Sequence, residues 1–236
     1  AIANGTAREK GGNPGCVVAH DVSDAYCADI WNRLSVSRKL RIVVDAGNGV
    51  AGPIALRVLS HYANITPLYC DPDGRFPHHH PDPSVEANLA DCRAKVLETG
   101  ADLGIAFDGD ADRCLLVDEK GNTIDGDKVL AVCAAGMKRK GKLSGNAIVA
   151  TVMSNLGLHE FCRNNGLDLI CTAVGDRHVL EKMLECGYDI GGEQSGHTIF
   201  RAFATTGDGE LTALQFLQAL KESGKKASEL AGCCAQ

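Results

Sequence analysis

Three aspartates, Asp108, Asp110 and Asp112, alternate with small residues in a short segment that ends at Arg113. Carboxylates so close in the chain repel one another, and a bound cation would offset that repulsion. All-oxygen ligation suits a hard cation such as Mg2+. A straight strand would hold Asp108 and Asp112 about 13 Å apart, so the segment has to curl if they are to share one ion.

Two other interpretations of the aspartates stay open on the residues alone. The segment could be an acidic turn that water solvates. It also matches part of an EF-hand calcium loop, because Asp108, Asp110, Asp112 and Glu119 fall at positions 1, 3, 5 and 12. Arg113 stands where that loop needs a glycine, and the flanking runs look like strands, so the calcium loop is the weaker alternative.

A second polar cluster lies between glycines in residues 191–197 and contains Glu193, Gln194, Ser195 and His197. These side chains offer donors and acceptors that can bind several hydroxyl groups of one sugar. A hydrolase with Ser195 as nucleophile and His197 as base is an alternative, although their spacing makes a contact awkward and no elbow motif surrounds the serine. A plain glycine-rich hairpin is the other alternative.

Three glycines form a possible nucleotide-binding turn. Gly47, Gly49 and Gly52 fit the G-x-G-x-x-G pattern between a strand and a helix, and Asp71 follows where a ribose-binding acid would lie. A nicotinamide-dependent oxidoreductase is therefore an alternative function. The early Pro53 fits this pattern poorly.

Three adjacent histidines, His78, His79 and His80, precede Asp82 in a proline-rich stretch. Such residues can bind zinc. Adjacent histidines cannot all point at one ion, however, and the prolines restrict the backbone, so zinc is the weaker interpretation of this stretch.

The composition limits the class of protein. The chain has 236 residues, a net charge of −6, 44% hydrophobic and 23% charged residues, which predicts a packed globular core. No long basic run suggests nucleic acid as a partner, and no apolar run approaches the roughly 20 residues of a membrane span. Eleven cysteines without a C-x-x-C spacing indicate reduced thiols and a cytoplasmic protein.

Strands and helices alternate twice along the chain, which predicts an α/β fold with two consecutive three-layer α/β/α domains and mixed, mostly parallel sheets. Residues 122–127 are predicted to form a turn between the domains. Ser84, Ser154 and Asp176 are predicted N-caps, and Gly100 and Gly187 predicted helix ends. Strands are expected over 41–45, 65–69, 103–107, 114–117, 147–152 and 169–174. Helices are expected over 21–34, 50–62, 84–98, 128–140, 154–166, 176–187 and 210–221.

The aspartate segment resembles the metal-binding loop of the α-D-phosphohexomutases, the phosphoglucomutase/phosphomannomutase superfamily. The segment at 192–197 resembles the sugar-binding loop of the same family. The resemblance implies that Asp108, Asp110 and Asp112 hold Mg2+ beside a phosphoserine, and that Arg113 acts as a catalytic residue facing phosphate. It also implies a strand-to-helix turn, not a nucleotide site, at 45–52. The substrate-binding residues that it implies are Asp176, Arg177, Glu193, Gln194, Ser195 and His197.

The family resemblance implies an intramolecular phosphotransferase that interconverts hexose 6-phosphate and hexose 1-phosphate through a bisphosphate intermediate. Gln194 and the segments 174–177 and 205–209 resemble the phosphoglucosamine mutase group. The loop at 76–83 resembles the phosphomannomutase group, which keeps phosphomannomutase/phosphoglucomutase open as an alternative. A catalytically silent binding module is a remote alternative.

The resemblance covers about residues 20–236 and matches the second and third of the family's four domains. It implies a linker or domain tail at 1–20, a metal-binding domain at 21–122 and a sugar-binding domain at 123–236. The first domain with its phosphoserine loop and the fourth domain, which grips substrate phosphate, have no match. We therefore expect a phosphorylated hexose as ligand and no mutase turnover from this chain alone.

Overall fold

The computed structural model describes residues 15–34 and 40–234. The predicted linker at 1–20 lies largely outside these residues. The helices are α1 (Ser23–Arg33), α2 (Ala51–Ser60), α3 (Ala90–Thr99), α4 (Gly126–Arg139), α5 (Leu156–Asn164), α6 (Asp176–Cys186), α7 (Gly209–Ser223) and α8 (Ala227–Ala231). The strands are β1 (Leu40–Asp45), β2 (Ala63–Leu68), β3 (Leu103–Phe107), β4 (Cys114–Asp118), β5 (Thr123–Ile124), β6 (Ala147–Thr151), β7 (Asp168–Thr172), β8 (Ile190–Gly192) and β9 (Thr198–Phe200).

The described strands form two mixed sheets that share a plan. The first has the order β2-β1-β3-β4-β5, and the second has the order β7-β6-β8-β9. In each sheet a central strand, β1 or β6, pairs in parallel with both neighbours. The chain then turns back in an antiparallel hairpin, β3–β4 in the first sheet and β8–β9 in the second. The predicted α/β class with two α/β/α units is confirmed.

Helices cover both faces of each sheet because the parallel pairs need crossover connections. Helix α3 packs on one face of the first sheet through Cys92 and Val96, and α6 packs on one face of the second through Val179 and Met183. One continuous hydrophobic cluster joins the opposite faces of the two sheets. Helix α7 lies in this shared core and contacts both β4 and β9. The two units are therefore packed against each other through buried apolar side chains.

The helix ends follow the predictions, whereas several helix starts do not. Gly100 and Gly187 adopt left-handed φ values of 60° and 72° at the ends of α3 and α6, as predicted. Ser84 does not cap α3, because its N–H and hydroxyl both donate to Asp82, at 3.0 and 2.6 Å. A 3-10 turn at Glu86–Leu89 precedes α3 instead.

Two more helix starts differ from the predictions. The hydroxyl of Ser154 donates to Asp127 at 2.9 Å, and Asn155 caps α5 instead. Asp176 is the first residue of α6, and Gly175 takes the N-cap position. The predicted interdomain turn at 122–127 contains strand β5, which extends the first sheet before Asp125 caps α4.

The glycines at 47–52 serve close packing within the chain. A Cβ atom on Gly52 would lie 1.9 Å from the carbonyl oxygen of Cys70, and one on Gly49 would lie 2.8 Å from that of Gly109. The N–H groups of residues 47–50 all donate within the chain, to acceptors on Asp45, Tyr69, Ala46 and Gly109. They are not available to a pyrophosphate, so the geometry supports a structural turn over a dinucleotide site.

Gly52→Ala should lower the free energy of unfolding by about 1–3 kcal/mol or more, because the added methyl group meets backbone that cannot rotate away. Gly74→Ala is the matched control, since a Cβ atom there has no neighbour within 4 Å. Denaturant unfolding of both variants measures the difference. Equal stability of the two variants would contradict the close approach of α2 to residue 70.

Candidate functional site

The aspartate loop is the β3–β4 hairpin, and its backbone is fixed from both units. The carbonyl oxygen of Gly109 accepts from the N–H of Val50 at 3.1 Å, and that of Ala111 accepts from the N–H of Gly209 at 2.9 Å. Ala111 has a left-handed φ of 69°, a conformation that glycine adopts with less strain. The loop therefore curls at Ala111 and is held by the starts of α2 and α7.

The curl brings the three carboxylates together. Each of Asp108, Asp110 and Asp112 offers an oxygen atom, and these atoms all lie within 4.8 Å of one another. Asp108 is 1% exposed, Asp112 is partly exposed and Asp110 is exposed. Burial raises the pKa of Asp108, while its hydrogen bonds from Arg113 act in the opposite direction. This graded set of oxygen donors is chemically able to hold a hard cation.

The calcium-loop alternative does not agree with the geometry. Strands, not helices, flank the loop. The carboxylate of Glu119, the twelfth position of that pattern, accepts from the N–H and hydroxyl of Ser228 at 3.0 and 2.5 Å. Glu119 is therefore used in packing α8 against the first unit.

Arg113 supplies the positive charge nearest to the aspartates. Its Nε donates to Asp108 Oδ2 at 2.7 Å, and its backbone N–H donates to Asp108 Oδ1 at 3.0 Å. Its side chain also lies 3.6 Å from Asp82 and 3.8 Å from Asp112. The guanidinium group thus bridges the aspartate loop and the histidine-rich stretch, and a cation at Asp108 would share that carboxylate with it.

Backbone pairing joins the aspartate loop to the glycine-rich loop of the second unit. Arg113 and His197 form an antiparallel bridge, and Cys114 N–H donates to the carbonyl oxygen of Gly196 at 3.2 Å. A Cβ atom on Gly196 would lie 2.7 Å from the carbonyl oxygen of Cys114. Glycine at 196, with a φ of 102°, is therefore required for this approach. Two loops far apart in the sequence become walls of one cleft.

His197 is almost fully buried at this junction, and its contacts define its tautomer. The N–H of Gly207 donates to Nε2 at 3.0 Å, so Nε2 has to be the unprotonated nitrogen. Nδ1 then carries the hydrogen and faces Asp112 Oδ2 at 3.2 Å. Asp176 Oδ2 lies 3.9 Å from Nε2. His197 thus orients one of the three aspartates, and its ring nitrogens are engaged away from Ser195, which argues against a serine hydrolase.

The other polar residues of the glycine-rich loop line a cavity of about 430 Å³ between the two units. Glu193, Gln194 and Ser195 form one wall. Glu193 Oε1 accepts from the N–H of Gly175 at 3.1 Å, and Gln194 Nε2 lies 3.4 Å from Asp125 Oδ2. The cavity therefore presents carboxylate, amide and hydroxyl groups together, as a sugar requires.

Arg177 lies apart from the other predicted substrate residues in this structure. Its Nε donates to Glu181 at 2.8 Å, and its side chain is 82% exposed. The backbone N–H of Arg177 donates to Asp176 Oδ1 at 2.7 Å. Asp176 is thus oriented toward His197 while the guanidinium group points along α6.

The three histidines do not converge on a common point. His78 Nδ1 lies 2.7 Å from Asn48 Oδ1, and His79 Nε2 lies 3.2 Å from Asp45. Within residues 15–34 and 40–234, only the three aspartates of the β3–β4 hairpin cluster closely enough for a metal ion. The zinc interpretation of the histidines is therefore not supported.

Two family models match the chain in sequence. Residues 24–121 match "Phosphoglucomutase/phosphomannomutase, alpha/beta/alpha domain II", and residues 125–236 match domain III of the same family. The chain belongs to the phosphoglucomutase/phosphomannomutase family. The predicted family is thereby confirmed. In the described part of the chain, no helix is both long and apolar enough to cross a membrane.

Individual relatives agree with this family. The chain is 47% identical over 214 residues to a phosphoglucosamine mutase of Desulforamulus reducens, covering 90% of this chain and 48% of the relative. A phosphoglucomutase/phosphomannomutase family protein of Burkholderia thailandensis superposes with a TM-score of 0.84 at 34% identity, covering 92% of this chain and 47% of the other. The chain spans about half the length of the relatives it matches.

A more distant structure shares the fold. The N-acetylphosphoglucosamine mutase of Aspergillus fumigatus, in a complex with GlcNAc-6P and magnesium, superposes with a TM-score of 0.72 at 20% identity. It covers 91% of this chain and 50% of the other.

The sequence patterns missed a buried acidic pair behind the hairpin of this phosphohexomutase-family chain. Asp208 caps α7 and accepts from the hydroxyl of Tyr26 at 2.9 and 3.0 Å. Glu210 follows at the start of α7 and is 6% exposed. Burial, together with the charge of Asp208, raises the pKa of Glu210 to about 8. Glu210 therefore keeps its proton at neutral pH and adds no further charge behind the aspartates.

Glu210→Gln should remove part of the pH dependence of stability. The unfolded chain releases the Glu210 proton near its ordinary pKa of 4.5, whereas the folded chain holds it to about 8. The free energy of unfolding of the wild type should therefore fall as pH rises between these values. In the variant this fall should be smaller by up to about 5 kcal/mol, which is the value of the pKa difference between the folded and unfolded chains.

Denaturant unfolding across that pH interval measures the effect. Glu222→Gln is the control, because Glu222 lies on the outer part of α7 and pairs with Lys140 at 2.7 Å. The same pH slope in the wild type and in Glu210→Gln would show that the buried acid titrates normally.

Proposed function

We propose that the whole protein is a phosphohexomutase that moves a phosphoryl group between O6 and O1 of a hexose through a bisphosphate intermediate. The observation that carries this proposal is the backbone bridge between Arg113 and His197. It joins a three-carboxylate loop to a loop suited to sugar hydroxyls, and phosphoryl transfer on a sugar needs both. The relatives named as phosphoglucosamine mutases support the more specific proposal of glucosamine phosphate as substrate.

Asp108, Asp110 and Asp112 are the residues that would hold Mg2+. Their oxygen atoms fit a hard cation, since they converge within 4.8 Å and come from carboxylates alone. When bound, Mg2+ would offset negative charge on the phosphoryl group as it leaves a phosphoserine. His197 Nδ1 lies 3.2 Å from Asp112 Oδ2, so His197 would position Asp112 for this role, as partners of metal ligands commonly do.

Arg113 would bind the phosphoryl oxygens. Its guanidinium group has five N–H donors, and the Nε donor is used by Asp108. Nη1 lies 3.6 Å from Asp82, an ion-pair distance at which Asp82 can orient the guanidinium group while its outer N–H donors can still bind a phosphate. The whole protein would supply the nucleophilic serine, because no segment of the 236 residues resembles the Ser-His-Asn-Pro motif.

Glu193, Ser195 and His197 would bind sugar hydroxyls. The sugar has to turn over between the two transfer steps, so these residues have to accept both orientations of one ring. Gly175 holds Glu193 through a backbone N–H, which fixes the carboxylate at the cavity without blocking its second oxygen. Asp176 would contribute beside His197, and Arg177 would have to leave Glu181 to reach a substrate phosphate.

Asp110→Asn should weaken Mg2+ binding to this chain at least tenfold, because it removes one anionic oxygen from the cluster. Loss of a group that only supports a metal ligand already costs about 10- to 100-fold in affinity, so loss of a ligand should cost no less. Isothermal titration calorimetry measures the dissociation constant. Glu119→Gln is the control, because Glu119 contacts Ser228 and would matter only in a calcium loop. Equal Mg2+ binding by wild type and Asp110→Asn would refute the assignment.

Gln194 is the residue that we propose reads the substituent at C2. Its Nε2 faces Asp125 at 3.4 Å, so Oε1 is its remaining acceptor for the ammonium group of glucosamine. A methionine thioether accepts poorly. In the full-length protein, Gln194→Met should lower the preference in kcat/KM for glucosamine 6-phosphate over mannose 6-phosphate by roughly 5- to 150-fold, the value of one such hydrogen bond.

Gln218→Met, on the outer side of α7, is the matched control for a glutamine-to-methionine change. A wild type that prefers mannose 6-phosphate, with no shift in Gln194→Met, would favour the phosphomannomutase alternative, which the loop at 76–83 resembles. It would also show that Gln194 does not read C2.

A further inference from the structure

The histidine loop, residues 70–83, has no role in the proposed chemistry. It nevertheless contacts both the turn at the end of β1 and the aspartate hairpin. It leaves the first sheet after β2 and returns along the turn that follows Asp45. A Cβ atom on Gly47 would lie 3.0 Å from the ring of His79 and 3.2 Å from Pro81. The loop is therefore seated directly on the 45–52 turn.

His79 makes the contact that identifies its charge. Its Nδ1 lies 3.0 Å from the carbonyl oxygen of His80, which can only accept a hydrogen bond. Its Nε2 lies 3.2 Å from both oxygens of Asp45, which also accept. Both ring nitrogens therefore have to donate, and a ring that donates from both nitrogens is an imidazolium ion.

The surroundings of His79 favour this cation from three elements. Asp45, at the end of β1, is 1% exposed and would otherwise be a buried, uncompensated charge. Asp91 lies on α3 and binds the hydroxyl of Tyr69 at 2.8 Å, and the Tyr69 ring stands edge-on to His79 at 5.5 Å. The hydrogen bond with Asp45 raises the pKa of His79, against the opposing effect of burial.

A second anchor fixes the loop beside His79. His78 stacks on Tyr69 at 3.8 Å and lies 2.7 Å from Asn48 Oδ1. Asn48 and Tyr69 have left-handed φ values of 60° and 51°. Such conformations in non-glycine residues persist only where the surroundings hold them. The contacts of His78 with Tyr69 and Asn48 therefore help to maintain the conformation of the loop.

The other end of the loop reaches the site. Asp82 lies 3.6 Å from Arg113 Nη1, and burial of Asp82 is outweighed by Ser84 and Arg113, which hold its pKa below the ordinary value. Pro81 lies 3.3 Å from the position of a Cβ atom on Gly109, in the aspartate hairpin. Pro83 and Ser84 line the 430 Å³ cavity opposite the glycine-rich loop.

We propose that His79, as an imidazolium ion paired with Asp45, is a positioning residue that holds the histidine loop so that Asp82 orients Arg113. Loss of the His79 proton leaves the Asp45 carboxylate without a cation and releases the loop from the turn. The direction follows from linkage: a histidine whose folded pKa is raised stabilises the fold below its unfolded pKa, about 6.5, and this stabilisation is lost as pH rises through the folded pKa. Arg113 should therefore lose its contact with the Asp82 carboxylate when the pH rises above the folded pKa of His79.

An NMR titration of this chain tests the proposal without a variant. The His79 ring should titrate above about 6.5, the value of an unperturbed histidine. The signals of the Arg113 guanidinium N–H groups and of the Ser84 amide should shift with the same midpoint, because Nη1 and the Ser84 N–H both face Asp82. His178, which is half-exposed on α6, is the internal control, and the loop signals should not follow its titration. Loop and Arg113 signals that stay constant while His79 titrates would overturn the proposal.

His79→Gln supplies the matched test. Glutamine keeps a donor but cannot carry the charge, so the Arg113 signal should stay at its high-pH position throughout. His178→Gln should leave the wild-type titration intact. If the Arg113 signal of His79→Gln still shifts with pH as it does in the wild type, the proposal is overturned. If the variant fails to fold, the NMR titration of the unmodified chain still decides.

The consequence for turnover rests on the proposed function. In the full-length protein, kcat/KM should fall on the alkaline side with the midpoint of the Arg113 signal, and His79→Gln should be about 10- to 100-fold slower at neutral pH, as when a partner of a site ligand is lost. A full-length protein without mutase activity would refute the function and leave the NMR result standing. Full activity in His79→Gln would overturn the positioning role and leave the function standing.

Discussion

Negative charge in a small volume is the constraint on which the site depends. Asp45 and Asp108 are both 1% exposed, and neither can remain ionised there without a compensating group. The chain meets this demand in different ways at different places. Arg113 donates twice to Asp108, His79 pairs with Asp45, and Glu210 keeps its proton. Under the proposed function, the exposed oxygens of the hairpin would bind a cation from solution.

The two units share a strand arrangement that brings different functional side chains to the same cleft. In each sheet, parallel pairing gives way to an antiparallel hairpin beside the central strand. The first hairpin carries the aspartates and the second carries the glycine-rich loop. Helix α7 packs against both sheets, so the shared hydrophobic core sets the distance between the hairpins. Backbone hydrogen bonds between residues 113–114 and 196–197 then close the junction.

Sequence-based predictions of helix ends were reliable where the backbone conformation itself requires a particular residue type. Gly100 and Gly187 end helices because a left-handed residue is needed there, and that need can be read from a few neighbouring residues. Ser84 and Ser154 failed as caps because their hydroxyls donate to Asp82 and Asp127 instead. Asp82 is a local partner two residues away, whereas Asp127 is brought to Ser154 from the start of α4. A polar side chain has several possible partners, and local sequence does not choose among them.

The sequence by itself determined the α/β class and the two loops that could do chemistry, because these follow from periodicity and from residue types at short spacing. The family was predicted from the resemblance of those two loops to the phosphohexomutases, and the family models confirm it. Only the tertiary structure decided how the loops meet. The junction at Gly196, the tautomer of His197 and the charge of His79 depend on atoms brought together from distant segments. The buried acids Asp208 and Glu210 were not found from the sequence, because their protonation depends on desolvation, which exists only once the chain has folded.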